Sequence, residues 1–349
     1  MTAAWDLPDF DDHEGVHLFR DAASGLTAII AIHSTHLGPS AGGTRFWHYP
    51  DKQAAIIDAL RLSRGMSYKN AMAGLPMGGG KAVILADSAG TKSAAMIAAF
   101  GRSIEALNGR YVTAEDVGMN DGDMVAIARE TRHVSGLPVA GGLAGGDPGP
   151  STALGVFLGV KAAAKRALGA DVIKGIRVAV QGVGSVGGGL ARLLAAEGAL
   201  LTLADVNTAR AATLADELGA VVVDPQAILT VEADILSPCA LGAVLTPMVI
   251  DALRVKAVAG GANNQLPTPM DGDQLHARGI LFAPDYVINA GGIINVVLEY
   301  LGHGNRDDVN ERVALIPARL EQVWAESAAT GVAPLRVADQ IAQRLIGRG

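Results

Sequence analysis

A single cysteine, Cys239, stands among 349 residues, so no internal disulfide can form, which suits a reducing compartment. Basic residues are outnumbered, 28 against 35 acidic, and none cluster, which argues against a protein that binds a phosphate backbone. Charged residues reach only 18% while hydrophobic ones make up 50%, a balance that excludes a disordered chain. The apolar stretches break at glycine, proline or charge before membrane-spanning length. The 44 glycines follow no three-residue period, so collagen is excluded, and no internal repeat or low-complexity tract is present. The eight histidines lack metal-ligand spacing, so no metal site is expected. A nucleophile elbow is missing too, because Gly182 to Ser185 has the wrong spacing for Gly-x-Ser-x-Gly. Met1 to Asp12 is acidic, without a basic-then-apolar secretory pattern, so a cytoplasmic location is expected.

What is present is an alternation of strands and helices, the mark of an α/β architecture. Leu26 to His33 reads as a strand, Gly38 to Gly43 as a glycine-rich corner and Lys52 to Arg64 as a helix. A loop from Gly74 to Lys81 should run into a buried strand at Ala82 to Leu85. Ala94 to Leu107 reads as a helix and Tyr111 to Ala114 as a short strand. Gly141 to Pro150 is rich in chain breakers and marks a hinge, after which Ser151 or Thr152 could cap a helix reaching about Leu168. Further strands are expected at Gly175 to Val180, Leu200 to Ala204, Ala220 to Val223, Ala233 to Leu236, Ala257 to Ala259 and Ile280 to Phe282. The tail from Asn310 to Gly349 should be mostly helical. The length suits two domains. These are residues 1–145, expected to supply the substrate and catalytic site, and residues 146–329, a Rossmann-like dinucleotide-binding domain, with a cleft between them. A C-terminal helix at about 330–349 is expected to pack back on the first domain.

Gly182-Val183-Gly184-Ser185-Val186-Gly187 follows a strand and opens an apolar helix. In a dinucleotide-binding βαβ unit, the first glycine permits a tight turn and the second lets backbone approach a pyrophosphate. The third lets helix and strand pack closely. Asp205 ends the next strand, 23 positions after Gly182 (205 − 182). Its carboxylate would accept hydrogen bonds from ribose hydroxyls and repel a 2′-phosphate, favouring NAD. Arg210 reads as a solvated helix residue, but would soften that preference if it turned inward. Gly-Gly-Gly-Lys81 is not a P-loop, since Ala82 stands where that loop needs Ser or Thr. Lys81 and Lys69 could line one apolar cleft, one holding an anion and the other poised as a base, or could be surface lysines. Asp116 follows a strand, where a helix cap is the commoner role. Asn263, Asn264 and Asn289 adjoin glycine-lined backbone that suits a flat cofactor ring, although tight turns also favour asparagine. Cys239 reads as a small buried residue.

Taken together, several motifs resemble the glutamate/leucine/phenylalanine/valine dehydrogenases, nearest the leucine type. They are Leu37 to Arg45, Tyr68-Lys69-Asn70, Leu75 to Lys81, Thr113 to Gly118, Gly182 to Gly187, Gly260 to Asn263 and Ala283 to Gly292, in order along nearly the whole chain. The resemblance implies that Lys81 is the catalytic lysine, Asp116 its acid–base partner and Lys69 the ligand of the substrate carboxylate. It places Gly42, Gly43 and Asn263 against the substrate, with Ala41, Ala114, Ile293 and Val296 around its side chain. It implies cofactor contacts at Arg45, Thr152, Gly182, Val183, Gly184, Ser185, Val186, Gly187, Asp205, Val206, Cys239, Ala240, Ala262, Asn263 and Asn289. The activity implied is NAD-dependent, reversible oxidative deamination of an L-amino acid to its 2-oxo acid and ammonia, in a homo-oligomer.

Glutamate-specific relatives carry a lysine where this chain has Ala41, so an acidic side chain would be buried without a cation. An apolar, branched-chain substrate is therefore expected, with phenylalanine the alternative because Ala41 leaves room. A non-catalytic NAD-binding regulator would be expected to lack Lys81 or Asp116, and both are present. A hydroxy-acid dehydrogenase would need a catalytic histidine, and none of the eight lies in the glycine-rich site loops.

Overall fold

The structure, a computed structural model, describes residues 3–138, 142–302 and 304–348. Met1 at the N-terminal expectation, Gly141 of the expected hinge and Gly349 of the expected tail lie outside the described residues. The chain divides into two compact units. The first comprises residues up to Asp147, Asn295–Arg306 and those from Ala342 on; the second comprises Pro148–Ile294 and Asp307–Ile341.

The first unit is built on β1 (Gly15–Asp21), β2 (Leu26–Ser34), β3 (Ser40–Trp47), α1 (Lys52–Met72), β4 (Gly78–Leu85), α2 (Ala94–Glu105), β5 (Tyr111–Glu115) and α3 (Asp121–Ala128). Its five strands order β1-β2-β4-β3-β5. β1 and β2 are antiparallel, as are β2 and β4, whereas β4, β3 and β5 run parallel. The two-residue period of β2 buries both faces. Ile30 and Ile32 join Ile84, Phe100 and Ile104 on one side, while Ile29 and Ala31 join Val83, Ala55 and Leu60 on the other. Each isoleucine fully removed from water contributes about 1.5–3 kcal/mol, which makes β2 the anchor of this unit. At the chain end, the Arg348 guanidinium donates to the carbonyls of Asp11 (2.6 Å), Asp12 (2.7 Å) and His33 (2.8 Å), fastening the last residues within the same unit.

Several expectations need correction here. The corner at Gly38 to Gly43 is largely strand, since Gly42 and Gly43 belong to β3, and the loop before Ala82 already pairs from Gly78. Helix α1 continues past Arg64 to Met72, and so carries Lys69 on its last turn. β1 was not expected at all; it is an edge strand whose residues are only partly buried, so its apolar alternation is weak.

The second unit runs through α4 (Gly149–Leu168), β6 (Arg177–Gln181), α5 (Ser185–Ala196), β7 (Leu200–Ala204), α6 (Thr208–Leu218), β8 (Val221–Val222), β9 (Ile235–Pro238), β10 (Ala257–Val258) and β11 (Leu281–Phe282). The strands order β11-β10-β9-β6-β7-β8 and every pairing is parallel. This is the doubly wound Rossmann order, whose direction of progression reverses between β6 and β9. Ligands of such sheets bind beyond the strand ends at that switch point, here the turn after β6 and Cys239-Ala240 after β9. The expected cap of α4 is wrong: Pro148 is the N-cap without a side-chain bond, and Thr152 Oγ1 instead donates back to the Pro148 carbonyl at 2.9 Å. Helices do fill the tail, at Arg306–Val313, Ile316–Thr330 and Pro334–Leu345. Among the described residues no helix is long and apolar enough to cross a membrane.

Candidate active site

In the first unit, register brings the glycines of β3 level with Lys81. Ala41 pairs with Gly79 and Thr44 with Ala82 on one side, while Gly42 and Gly43 pair with Thr113 and Ala114 on the other. The strands pack closely because side chains are missing where they meet. A Cβ on Gly42 would stand 1.9 Å from the Gly80 carbonyl oxygen, and one on Gly43 would stand 2.9 Å from Asp116 Cβ. Tyr111, fully buried, donates its hydroxyl to the Gly42 carbonyl at 2.6 Å. The last turns of α1 lie on this floor. Ser67 abuts Gly79, Asn70 Nδ2 donates to the Gly78 carbonyl at 2.6 Å, and Met66 lies against Gly42. Half-buried Lys69 belongs to the same turns.

Lys81 is 5% exposed and pairs with Asp116 Oδ2. Burial depresses the lysine pKa, against the attraction of Asp116 and with the help of the Arg45 cation. For Asp116, burial opposes the charge, but Lys81, Arg45 and the Val117 amide (2.7 Å) outweigh it and hold the carboxyl below its ordinary value. The pair is thus biased toward a lysine that releases its proton beside a carboxylate that stays charged, as a general base requires. Of the two readings left open for Lys81 the buried one holds. The reading of Asp116 as a helix cap is corrected, since Asn120 caps α3. Arg45 donates to Asp116 Oδ2 at 3.3 Å and Asp58 Oδ2 at 3.0 Å. Asp58, Tyr111 and Met66 were not singled out in the sequence. Met66 could have been, since it stands three residues before Lys69 on a helix.

The second unit gathers the glycine turn and its surroundings. Gly182 has φ +84° and sits against Ala240, and a Cβ on Gly187 would stand 1.9 Å from the Gly182 carbonyl oxygen. A Cβ on Gly184 would meet nothing within 4 Å, so the middle glycine faces open space. Helix α5 begins there without a side-chain cap, leaving its first N–H groups and the positive end of its dipole for an anion. These residues fit a pyrophosphate. Asp205 is 6% exposed and accepts from the amides of Val183 and Asn207, each at 2.8 Å. Arg210 Nη2 donates to both its oxygens at 2.8 Å, so the reading of Arg210 as merely solvated is corrected. Val206 beside it is 90% exposed.

Across the same sheet, Cys239 adjoins Gly187, and its Sγ accepts from the Gly261 amide at 3.4 Å; burial pushes the thiol up. Asn289 Nδ2 donates to Asn263 Oδ1 at 2.8 Å and to the Gly261 carbonyl at 3.2 Å, beside buried Ala262. Its buried Oδ1 has no hydrogen-bond partner. The tight-turn reading holds for Asn264, which has φ +51°. Thr152 Oγ1 lies 2.7 Å from where a Cβ on Gly292 would stand. Ile293 falls in the second unit and buried Val296 in the first. Half-buried Ala114 pairs with Gly43 in the first unit.

A buried lysine–carboxylate pair on one sheet and a dinucleotide turn on the other describe a two-unit α/β dehydrogenase. Comparison with known proteins agrees. Residues 13–133 match the model of the Glu/Leu/Phe/Val dehydrogenase dimerisation domain, and residues 200–344 match that of the Glutamate/Leucine/Phenylalanine/Valine dehydrogenases. Leucine dehydrogenase of Geobacillus stearothermophilus is 49% identical over 335 residues, 96% of this chain and 91% of that enzyme. Valine dehydrogenase of Streptomyces virginiae is 44% identical over 339 residues, 96% of this chain and 94% of that enzyme. The crystal structure of L-tryptophan dehydrogenase from Nostoc punctiforme superposes with a TM-score of 0.86 at 40% identity, covering 96% of each chain. The chain belongs to the Glu/Leu/Phe/Val dehydrogenase family.

Proposed function

We propose that this enzyme catalyses the NAD-dependent, reversible oxidative deamination of a branched-chain L-amino acid. The observation that carries the chemistry is Lys81 buried against Asp116, level with the glycine floor of β3. When bound, NAD supplies a hydride acceptor for the substrate α-carbon. Lys69 holds the substrate carboxylate, while Gly42 and Gly43 let it lie against bare backbone. Neutral Lys81 takes a proton from the water that attacks the iminium carbon. Asp116 relays the proton that Lys81 has taken to the amine nitrogen, and the new hydroxyl gives its own proton back to Lys81 as the C–N bond breaks, so ammonia and a 2-oxo acid leave. Gly182 to Gly187 would hold the pyrophosphate, Asp205 the ribose hydroxyls and Val206 a face of the adenine. Thr152, Asn263 and Asn289, with Cys239, Ala240 and Ala262, would surround the nicotinamide end.

Ala41, 4% exposed, supports an apolar substrate side chain, because it supplies no cation for a carboxylate. The leucine and valine dehydrogenases above favour a branched aliphatic chain, and Ala114, Ile293 and Val296 suit one. The tryptophan dehydrogenase keeps an aromatic substrate as the second reading. Initial rates with leucine, valine, phenylalanine, tryptophan and glutamate decide it: kcat/KM should be highest for leucine or valine. A highest value for an aromatic substrate would overturn the choice. A homo-oligomer assembled through the first unit is part of this proposal, in keeping with the dimerisation-domain match.

Cofactor choice yields a sharper test. Asp205 already serves two amides and a guanidinium, and the arginine weakens its repulsion of a 2′-phosphate. Arg210→Ala should raise the NAD-over-NADP ratio of kcat/KM by about tenfold, the equivalent of about 1.4 kcal/mol. Asp205→Ala should lower it. If neither ratio moves, Asp205 does not read the ribose.

A further inference from the structure

We infer that Arg45 and Asp58 form a positioning pair that sets how readily Lys81 gives up its proton, acting through the Asp116 oxygen that Lys81 and Arg45 share. The inference rests on Lys81 being the base of the reaction proposed above. Asp116 Oδ2 accepts from Lys81 Nζ and, at 3.3 Å, from Arg45 Nε, so two cations compete for one oxygen. The other arm of Arg45 is fixed: Nη1 donates to Asp58 Oδ2 at 3.0 Å. Asp58 is itself held by the Tyr49 hydroxyl at 2.6 Å and by Arg61 Nη2 at 2.9 Å. Asp58 is 15% exposed and Arg45 27%, while Arg61, 38% exposed, is the solvent end of the row.

The charges in this row balance in only one protonation state. With Lys81 protonated, three cations (Lys81, Arg45, Arg61) face two anions (Asp116, Asp58). With Lys81 neutral, two face two. In a half-buried row, where charge interactions are poorly screened, the balanced state is favoured, and that is the state in which Lys81 can act as a base. Other elements around Lys81 alter this little. β2 sets Ala31 opposite it, while β5 contributes neutral Tyr111 and solvent-exposed Glu115. Lys69 on α1 is matched, in the proposed reaction, by the substrate carboxylate. The influences on Lys81 run the same way: Arg45 disfavours its ammonium and Asp58 favours it. Asp58 therefore restrains Arg45, and the two should have opposite effects when removed.

The test is the pH profile of kcat with NAD and the best amino acid both saturating, which reports the groups of the substrate-bound enzyme, where Lys69 is matched. Arg45→Gln should move the acid limb up by about one pH unit, whatever its effect on the plateau rate. Asp58→Asn should move the same limb down, and Arg45→Lys should restore it nearly to its original place. Limbs that stay put, or that move in the same direction in both variants, overturn the inference. Should Asp58→Asn fail to fold, Arg45→Gln against Arg45→Lys decides alone. Lys81→Ala separates the two levels of argument. If that variant keeps wild-type turnover, the proposed reaction falls; if it is inactive while the limbs do not move, only the pair does.

Discussion

Lys81→Ala should lower kcat for deamination by about 10²–10⁴-fold, the range that a positioned general base supplies. NAD affinity should stay within about twofold, since the glycine turn, Asp205 and the uncapped start of α5 all belong to the second unit. The fold should survive as well. Without the ammonium, Asp116 keeps the Arg45 Nε at 3.3 Å and the Val117 amide at 2.7 Å, so its charge is not left unpaired. Lys81→Arg should not rescue turnover, because a guanidinium stays protonated at any workable pH and cannot accept the proton. Steady-state rates and a direct NAD titration on each variant check all three points. Loss of NAD binding in parallel with turnover would mean that Lys81 is a structural residue.

How much of this could be read beforehand varies with the physics of each element. β2 and β7 were legible because runs of β-branched residues and leucine favour strands, and β2 is buried along nearly its whole length. The glycine turn was legible because its strand, helix and acidic residue occur at fixed separations. β3 and β4 were read as partly loop, since glycine ordinarily interrupts a strand. In this protein the opposite pressure wins: Gly79 lies where a Cβ would meet the Ser67 amide at 2.0 Å, and Gly80 where it would meet the Tyr111 ring at 2.7 Å. Lys81 and Asp116 were found as candidates, but spacing alone did not show their pairing, because it depends on strands 35 residues apart lying on either side of β3. Asp58 gave no signal at all. A carboxylate on an amphipathic helix reads as solvated unless its partner on β3 is known. Arg210 posed a choice of rotamer that a sequence cannot make, and the geometry resolves it toward Asp205.

Gly42→Ala should cost both stability and activity, whereas Gly65→Ala, on α1 of the same unit, should cost neither. A methyl group at position 42 would stand 1.9 Å from the Gly80 carbonyl oxygen and 3.1 Å from Met66 Cγ. Methionine can swing aside, but the carbonyl belongs to β4, and β3 is paired to β4 on one side and β5 on the other. Relief therefore means parting two strands of the central ladder. Overpacking of this kind costs about 1–3 kcal/mol, and with a backbone atom as the obstacle the upper end is expected. For a protein of 349 residues that lowers Tm by about 4 °C. The same parting moves Lys81, which stands next to Gly80 on β4, away from Asp116, so kcat/KM should fall even at temperatures where the variant is fully folded. At Gly65 a methyl group would meet nothing within 4 Å. There alanine should stabilise by about 0.5–1 kcal/mol through helix propensity alone. Thermal unfolding and initial rates on the two variants read the contrast directly, and a Gly42→Ala enzyme with unchanged Tm and rate would show that the strands are not as close as described.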